Sequence, residues 1–388
     1  MAVANLVRVR YSALAVKAEV TQGTDSIAGS PASTDYVAGE ATISINPETI
    51  ANPVVTGSLD NAPPIIGGIK PRIQIRVPLR GSGTAGNAPD WAKLLLACAT
   101  SQTDTSATVG APTAATAGST TTLTLATPFA ATAQLYRGMP LLLSGDQTVE
   151  TGIVDYTVGR VATIGETLAA AATTSTLAQI PKNNLYSPVS DDDDITSCTI
   201  YVYQDGMVWK FTGCIGTWSL ELTTGGIGFL TFDMAGQFSA YTTASVPSNW
   251  TPSVLQPPRF VGGRCQLNKT LAQSRTLTVN AGLTTVLPDN PEAAQGYDAA
   301  LPVSRATGGA IDPLTNTVSS AALFSAFQAG TGMSLMARIG STAGNRFLLT
   351  VPVAKASNFT PGNRDSLSQD AISFMADGSN SAVFLAAY

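Results

Sequence analysis

The chain of 388 residues has no histidine, which excludes Ser-His and Cys-His nucleophile pairs and histidine metal sites. Cysteine is scarce: Cys98, Cys198, Cys214 and Cys265 stand far apart without CxxC spacing. Zinc sites favour close-spaced pairs, so four reduced, buried thiols are the expectation. Charge is also sparse, at 12% of residues against roughly 25% in ordinary globular chains. Either neighbours in an assembly cover much of the surface, or the surface is the Thr- and Ser-faced exterior of a β-rich protein. A net charge of −5 offers no cation excess to neutralise phosphates, which argues against nucleic-acid binding. The longest apolar runs, such as LLLACA at 94–99, fall far short of the roughly 18 residues that span a bilayer. The opening MAVANLVRVRYSALAVK carries charges where a signal peptide needs an unbroken apolar stretch. A soluble chain made in a cytoplasm is therefore expected.

What is present is alternation. LVRVRY at 6–11, ATISINP at 41–47 and RIQIRVPL at 72–79 each set apolar residues against polar ones at period two, the mark of half-buried strands. Asp205-Gly206 between two β-forming runs specifies a type I′ hairpin. With the turn TTGGIG at 223–228, it predicts a four-stranded meander at 199–203, 207–211, 214–222 and 229–234. Two helices are expected. Trp91, Leu94, Leu95 and Cys98 mark one buried face after Pro89, and Leu323, Phe324 and Phe327 mark another that stops at Gly330. Residues 103–182 turn rich in Thr, Ala and Ser yet keep strand patterns, such as Val154, Tyr156 and Val158 on one face. This stretch reads as an inserted β-rich accessory domain, or as a long ordered excursion of its parent. Outside it, residues 72–240 and 300–388 run through the same order of elements, with Phe232 matched to Phe374 and Gly225 to Gly362. That is a tandem duplication at the level of pattern.

The strand at 72–79 runs into Gly81-x-Gly83-x-x-Gly86, the spacing of a dinucleotide-binding turn. Such a turn needs a fully buried parallel strand and a helix that begins on the third glycine. Here the strand alternates, NAP separates Gly86 from the helix, and Asp104 lies in a Thr-rich segment. The glycines are expected to make a tight strand-to-helix connection. The acidic run at 191–194 lacks EF-hand spacing and reads as a solvated loop rather than a calcium site. Catalysis without histidine would need a carboxylate pair or a Ser-Lys dyad, and no local signature assembles either. The insert's sparse aromatics, Phe129, Tyr136 and Tyr156 with no Trp, offer little to stack a sugar.

Several stretches resemble the major tail tube proteins of long-tailed, siphovirus-type bacteriophages. They are RGSGTAGNAPDWAKLLLACA, YSPVSDDDDITSCTIYVYQDG, GCIGTWSLELTTGGIGFLTFDMAGQFSA and GNRFLLTVPVAKASNFTPGNRDSLSQDAISFMA, with VKAEVTQGTD and ISINPETIANPVVTGSLDNAPPIIGGIKP before them. The resemblance implies a mainly β fold: a tail-tube-type β-sandwich or barrel with a flanking helix, here duplicated in tandem and carrying the insert. The division expected is a first fold at 1–102 continued at 183–250, an accessory domain at 103–182, and a second fold at 251–388. It further implies rings that stack into a hollow tube for DNA ejection, working with tape measure, tail terminator and distal tail proteins, and no cofactor, metal or membrane. Two folds per chain would let three chains imitate a sixfold ring. DNA would pass a neutral or acidic bore without specific binding, and Asp205, Glu221 and Asp233 are the candidate lumen carboxylates. The rival readings are another virion β-protein (tail terminator, baseplate component or capsid decoration) and a secretion-type tube.

The connection at 46–71 is too long for an ordinary loop. It reads either as an arm that reaches a neighbouring subunit through Pro53, Val54, Val55, Ile65 and Ile66, or as an excursion packed on its own domain. Deleting residues 52–68 is expected to leave a folded monomer that cannot polymerise. Sedimentation checks this, and tubes formed by the deleted chain would dismiss the arm.

Overall fold

A computed structural model describes residues 6–388, apart from 56 and 61. Strand makes up 49% and helix 5%, as the alternating Val, Ile, Thr and aromatic residues dictate. The spine is a run of eight antiparallel strands. It starts at Glu40–Ser44, continues through Arg72–Pro78 and Phe229–Thr243 to Met207–Thr223, and crosses from there to Ser274–Asn280. Gly308–Pro313, Leu367–Ala376 and the C-terminal half of Phe347–Arg364 complete it. Alternation sorts each strand between two faces. Ile73, Ile75 and Val77 are buried, while Arg72, Gln74 and Arg76 are exposed.

The buried face is closed by the helix α1 (Ala92–Leu96), among other elements. Trp91 is its anchor, fully buried between Tyr186 and Phe347, with its indole N–H donating to Arg80 O at 2.8 Å. The helix then hands over to the sheet, because Gly216 N donates to Ala97 O at 3.1 Å. In the second half, α2 (Ser320–Gln328) stacks Phe327 on Phe359 and sets Phe324 edge-on to it.

The duplication is tighter than the sequence shows, and it begins earlier than residue 300. Strands Glu40–Ser44, Pro47–Ile50, Ile65–Ile69 and Arg72–Pro78 recur at one constant offset within Ser274–Asn280 and as Leu283–Val286, Leu301–Arg305 and Gly308–Pro313. Pairing recurs with them. Ala41, Ile75, Phe232 and Trp218 lie in one row across the first half, and Leu277, Ile311, Ile372 and Phe359 across the second. Phe232 therefore matches Ile372 rather than Phe374. Gly362 lies inside a strand opposite Gln369, and the turn that matches Gly225 falls at Asp365-Ser366 instead.

Two other expectations differ from the fold. Residues 6–11 form no strand. Leu6, Val7 and Val9 are exposed, and the first strand is Ser12–Ala18, whose Ala13 to Val16 are buried. The meander has three strands rather than four, because 207–211 and 214–222 are one strand with a bulge. Glu19 explains why the break does not become a turn. Its buried carboxylate accepts from Gly213 N at 2.8 Å, Ser197 Oγ at 2.6 Å and Thr199 Oγ1 at 2.8 Å, pinning the bulge at Gly213 with φ +58°. The Asp205-Gly206 turn has positive φ at both residues, as type I′ requires.

Residues 109–180 form a separate seven-stranded sheet around Phe129, Tyr136, Leu141, Ile153 and Tyr156. It leans on the second half through Met336, Leu348 and Phe384. There Glu150 takes Arg338, Arg346 at 3.0 Å and the Tyr388 hydroxyl at 2.6 Å.

Candidate assembly surface

The eight-strand run ends in two open margins. Among the described residues, Glu40–Ser44 bonds only to Arg72–Pro78, so its other edge carries no backbone partner. Residues 355–364 bond only to Leu367–Ala376, leaving their far edge unpaired as well. In the middle of the run the corresponding edges have found each other. Residues 219–223, the counterpart of the second margin, pair antiparallel with 276–280, the counterpart of the first. The ladder is extended at both ends by Ala281 N to Trp218 O at 2.9 Å and Thr224 N to Arg275 O at 2.8 Å. Leu220, Leu222, Leu277 and Val279 bury themselves beneath it.

One carboxylate fixes the second strand of this junction to its own repeat. Asp312 accepts from Ser274 Oγ at 2.6 Å, Thr276 N at 2.8 Å and Arg275 N at 2.9 Å, and meets Arg364 at 3.2 Å. Burial alone would raise its pKa. The hydrogen bonds from Ser274 and Thr276, the Arg364 charge and the bond from Arg275 outweigh burial and hold the carboxyl below its usual value.

Glu221 and Asp233 share the polar face of the run with Arg72, Gln74 and Arg76. That face also carries cations. Arg72 lies 3.5 Å from Asp233, both half-exposed, and the Arg76 guanidinium sits 3.7 Å from the Phe229 ring centre. Asp205 lies elsewhere, on its hairpin turn, accepting from Arg8 N at 3.0 Å. The long connection is a hairpin arm, Pro47–Ile50 against Ile65–Ile69. Pro53, Val54, Val55, Ile65 and Ile66 are all exposed on it, Val55 at 92% and Leu59 fully.

The glycines at 81–86 clasp the second half of the molecule. Gly81 N donates to Asn345 Oδ1 at 2.9 Å, and a Cβ on Gly81 would meet Gly344 O at 2.0 Å. Asp104 hydrogen-bonds Asn184 and Gln102. Residues 191–194 include an exposed turn, Asp192–Asp194, in which Asp193 N donates to the Asp191 side chain. All four cysteines are free and buried, and burial pushes each thiol up, Cys265 to about 12. No helix among the described residues is long and apolar enough to cross a membrane. Sequence reasoning missed the Ser274–Asn280 strand and the second arm. The strand's signal was legible in RTLTVN at 275–280, where Leu277 and Val279 alternate with Thr276 and Thr278.

The family model for phage tail tube proteins matches residues 11–376, almost the whole of the architecture just described. The chain belongs to the phage tail tube protein family. That family is one of structural proteins, and it implies a place in the virion tail. Comparison with curated proteins finds no match.

Replacing Asp312 by Asn tests this hold on Ser274–Asn280. A carboxyl with a lowered folded pKa adds stability above its unfolded value, near 3.9, and loses it as pH falls through the folded one. The variant should be less stable by about 1–2 kcal/mol at pH 7, with the gap closing below about pH 4. Urea midpoints at pH 7 and pH 3 check this, and a gap unchanged at pH 3 would contradict it.

Proposed function

We propose that copies of this chain assemble side by side into rings, and that the rings stack into the hollow tail tube of a long-tailed phage, through which DNA is ejected. The carrying observation is the pair of open margins beside an internal junction that already joins their counterparts. A margin left bare is a template for pairing with another chain, and pairing each with its opposite in the next copy closes the sheet into one barrel without edges. Each chain brings two tail-tube folds, at 1–102 with 183–250 and at 251–388, plus the accessory domain at 103–182. Three chains then make a ring of six folds.

On this reading the polar face lines the bore. Its cations are locally engaged, Arg72 by Asp233 and Arg76 by the Phe229 ring, so they grip passing phosphates weakly. Glu221 stays open on that face to repel them. The hairpin arm with Pro53, Val54, Val55, Ile65 and Ile66 makes contacts between subunits. Tape measure, tail terminator and distal tail proteins are the partners expected at the core and ends of such a tube.

Electron microscopy of the purified chain tests the reading. Tubes of constant width with three full-length chains per ring are expected. Six chains per ring would overturn the trimer, and a lone particle at every concentration would overturn assembly itself.

A further inference from the structure

The second repeat has a hairpin arm of its own, and that arm is already docked. Leu283–Val286 and Leu301–Arg305 form it, with the pairing and bulge of the first arm. Its base lies across the first repeat, with Ala300 N donating to Gly213 O and Leu283 N to Thr217 Oγ1, both at 3.1 Å. Leu283 and Ala300 cluster with Ile215 and Ala235 there, and Ala235 is 1% exposed. Its tip reaches the base of the first arm. Ile69 N donates to Gln295 O at 3.3 Å, and the Lys70 ammonium lies 4.2 Å from the Tyr297 ring centre.

The corresponding surfaces of the second repeat lie bare. Met375 follows Ile372 as Ala235 follows Phe232, yet it is 54% exposed. At the root of the docked arm Val303, Ser304 and Ala306 are exposed, the last two being the counterparts of Gly68 and Lys70. The first arm exposes Ile50, Val54, Val55, Leu59, Ile65 and Ile66. It also springs directly from Glu40–Ser44, as the second arm springs from Ser274–Asn280. If Glu40–Ser44 pairs with residues 355–364 of another copy, the arm therefore starts beside that copy's Met375, just as Leu283 starts beside Ala235.

We propose that the first arm of one chain docks on the second repeat of its neighbour in the same ring, its base over Met375 and its tip against residues 303–306. This rests on the tube reading and adds to it the partner and the face: a second copy of this chain, held laterally. Burying those apolar side chains supplies the hydrophobic half of an interface whose other half is backbone pairing.

Cross-linking decides between lateral and axial docking. Pro64, the counterpart of Ala300, is exposed, and the four native thiols are buried, so a short bismaleimide addresses only the introduced sites of a Pro64→Cys/Met375→Cys chain. Tubes of this variant, treated and then dissolved in detergent, should give a covalent ladder that stops at the number of chains in one ring. A ladder without limit would mean that the arm joins successive rings, and intact tubes without adducts would mean that it docks elsewhere; either overturns the proposal. Leu59→Cys/Val303→Cys reads the tip contact in the same way should the first pair fail to assemble. Failure of the unsubstituted chain to form tubes is seen before any reagent is added, and it counts against the tube reading itself.

Discussion

Backbone hydrogen bonding at the margins of one sheet is the constraint that organises this molecule. A whole strand edge is satisfied by water or by another strand, and burying it unpaired costs about 1–3 kcal/mol per group. The core beneath the run is complete without help, with Ile73, Ile75, Val77, Phe232 and Phe374 already buried. The chain can therefore fold alone and still leave both margins wet. Those margins also carry guards against promiscuous pairing. Lys355 and Pro361 lie on the longer one, and the shorter exposes Glu40 and Ser44. Such an edge rewards a partner of matched register more than a random strand.

The internal junction shows what a matched partner looks like. Its two strands belong to different repeats, yet they meet as strands of one sheet, with apolar residues below, Thr and Ser above and an arm folded across the seam. The repeats themselves have diverged where the constant offset ends. The helices differ in length, and only the first repeat carries the seven-stranded insert. The insert nonetheless packs against the second repeat, through Glu150 and its two arginines.

Much of this was legible in the residues. Period-two alternation placed Arg72–Pro78, the Asp205-Gly206 pair placed its hairpin, and the spacing of Trp91, Leu94 and Leu95 placed the first helix. The errors have physical causes. Residues 6–11 alternate but, among the described residues, find no surface to bury against, and a period alone cannot reveal that. Gly213 looked like a break because the carboxylate that pins its bulge, Glu19, is remote in sequence. The match of Phe232 to Phe374 failed because Ile372 and Phe374 lie two residues apart on the same buried face, and alternation alone does not tell them apart. The open margins could not be read from sequence at all. Glu40–Ser44 looks like any half-buried strand until its neighbours are counted.

Hydrogen exchange, read amide by amide on the dispersed and the polymerised chain, probes the completion of the margins most directly. Amides in residues 219–223 should be protected in both states. The outward-facing amides in 40–44 and 355–364 should exchange freely when the chain is dispersed and become protected together on polymerisation. Polymer in which both margins still exchange as fast as in the dispersed chain would contradict the account.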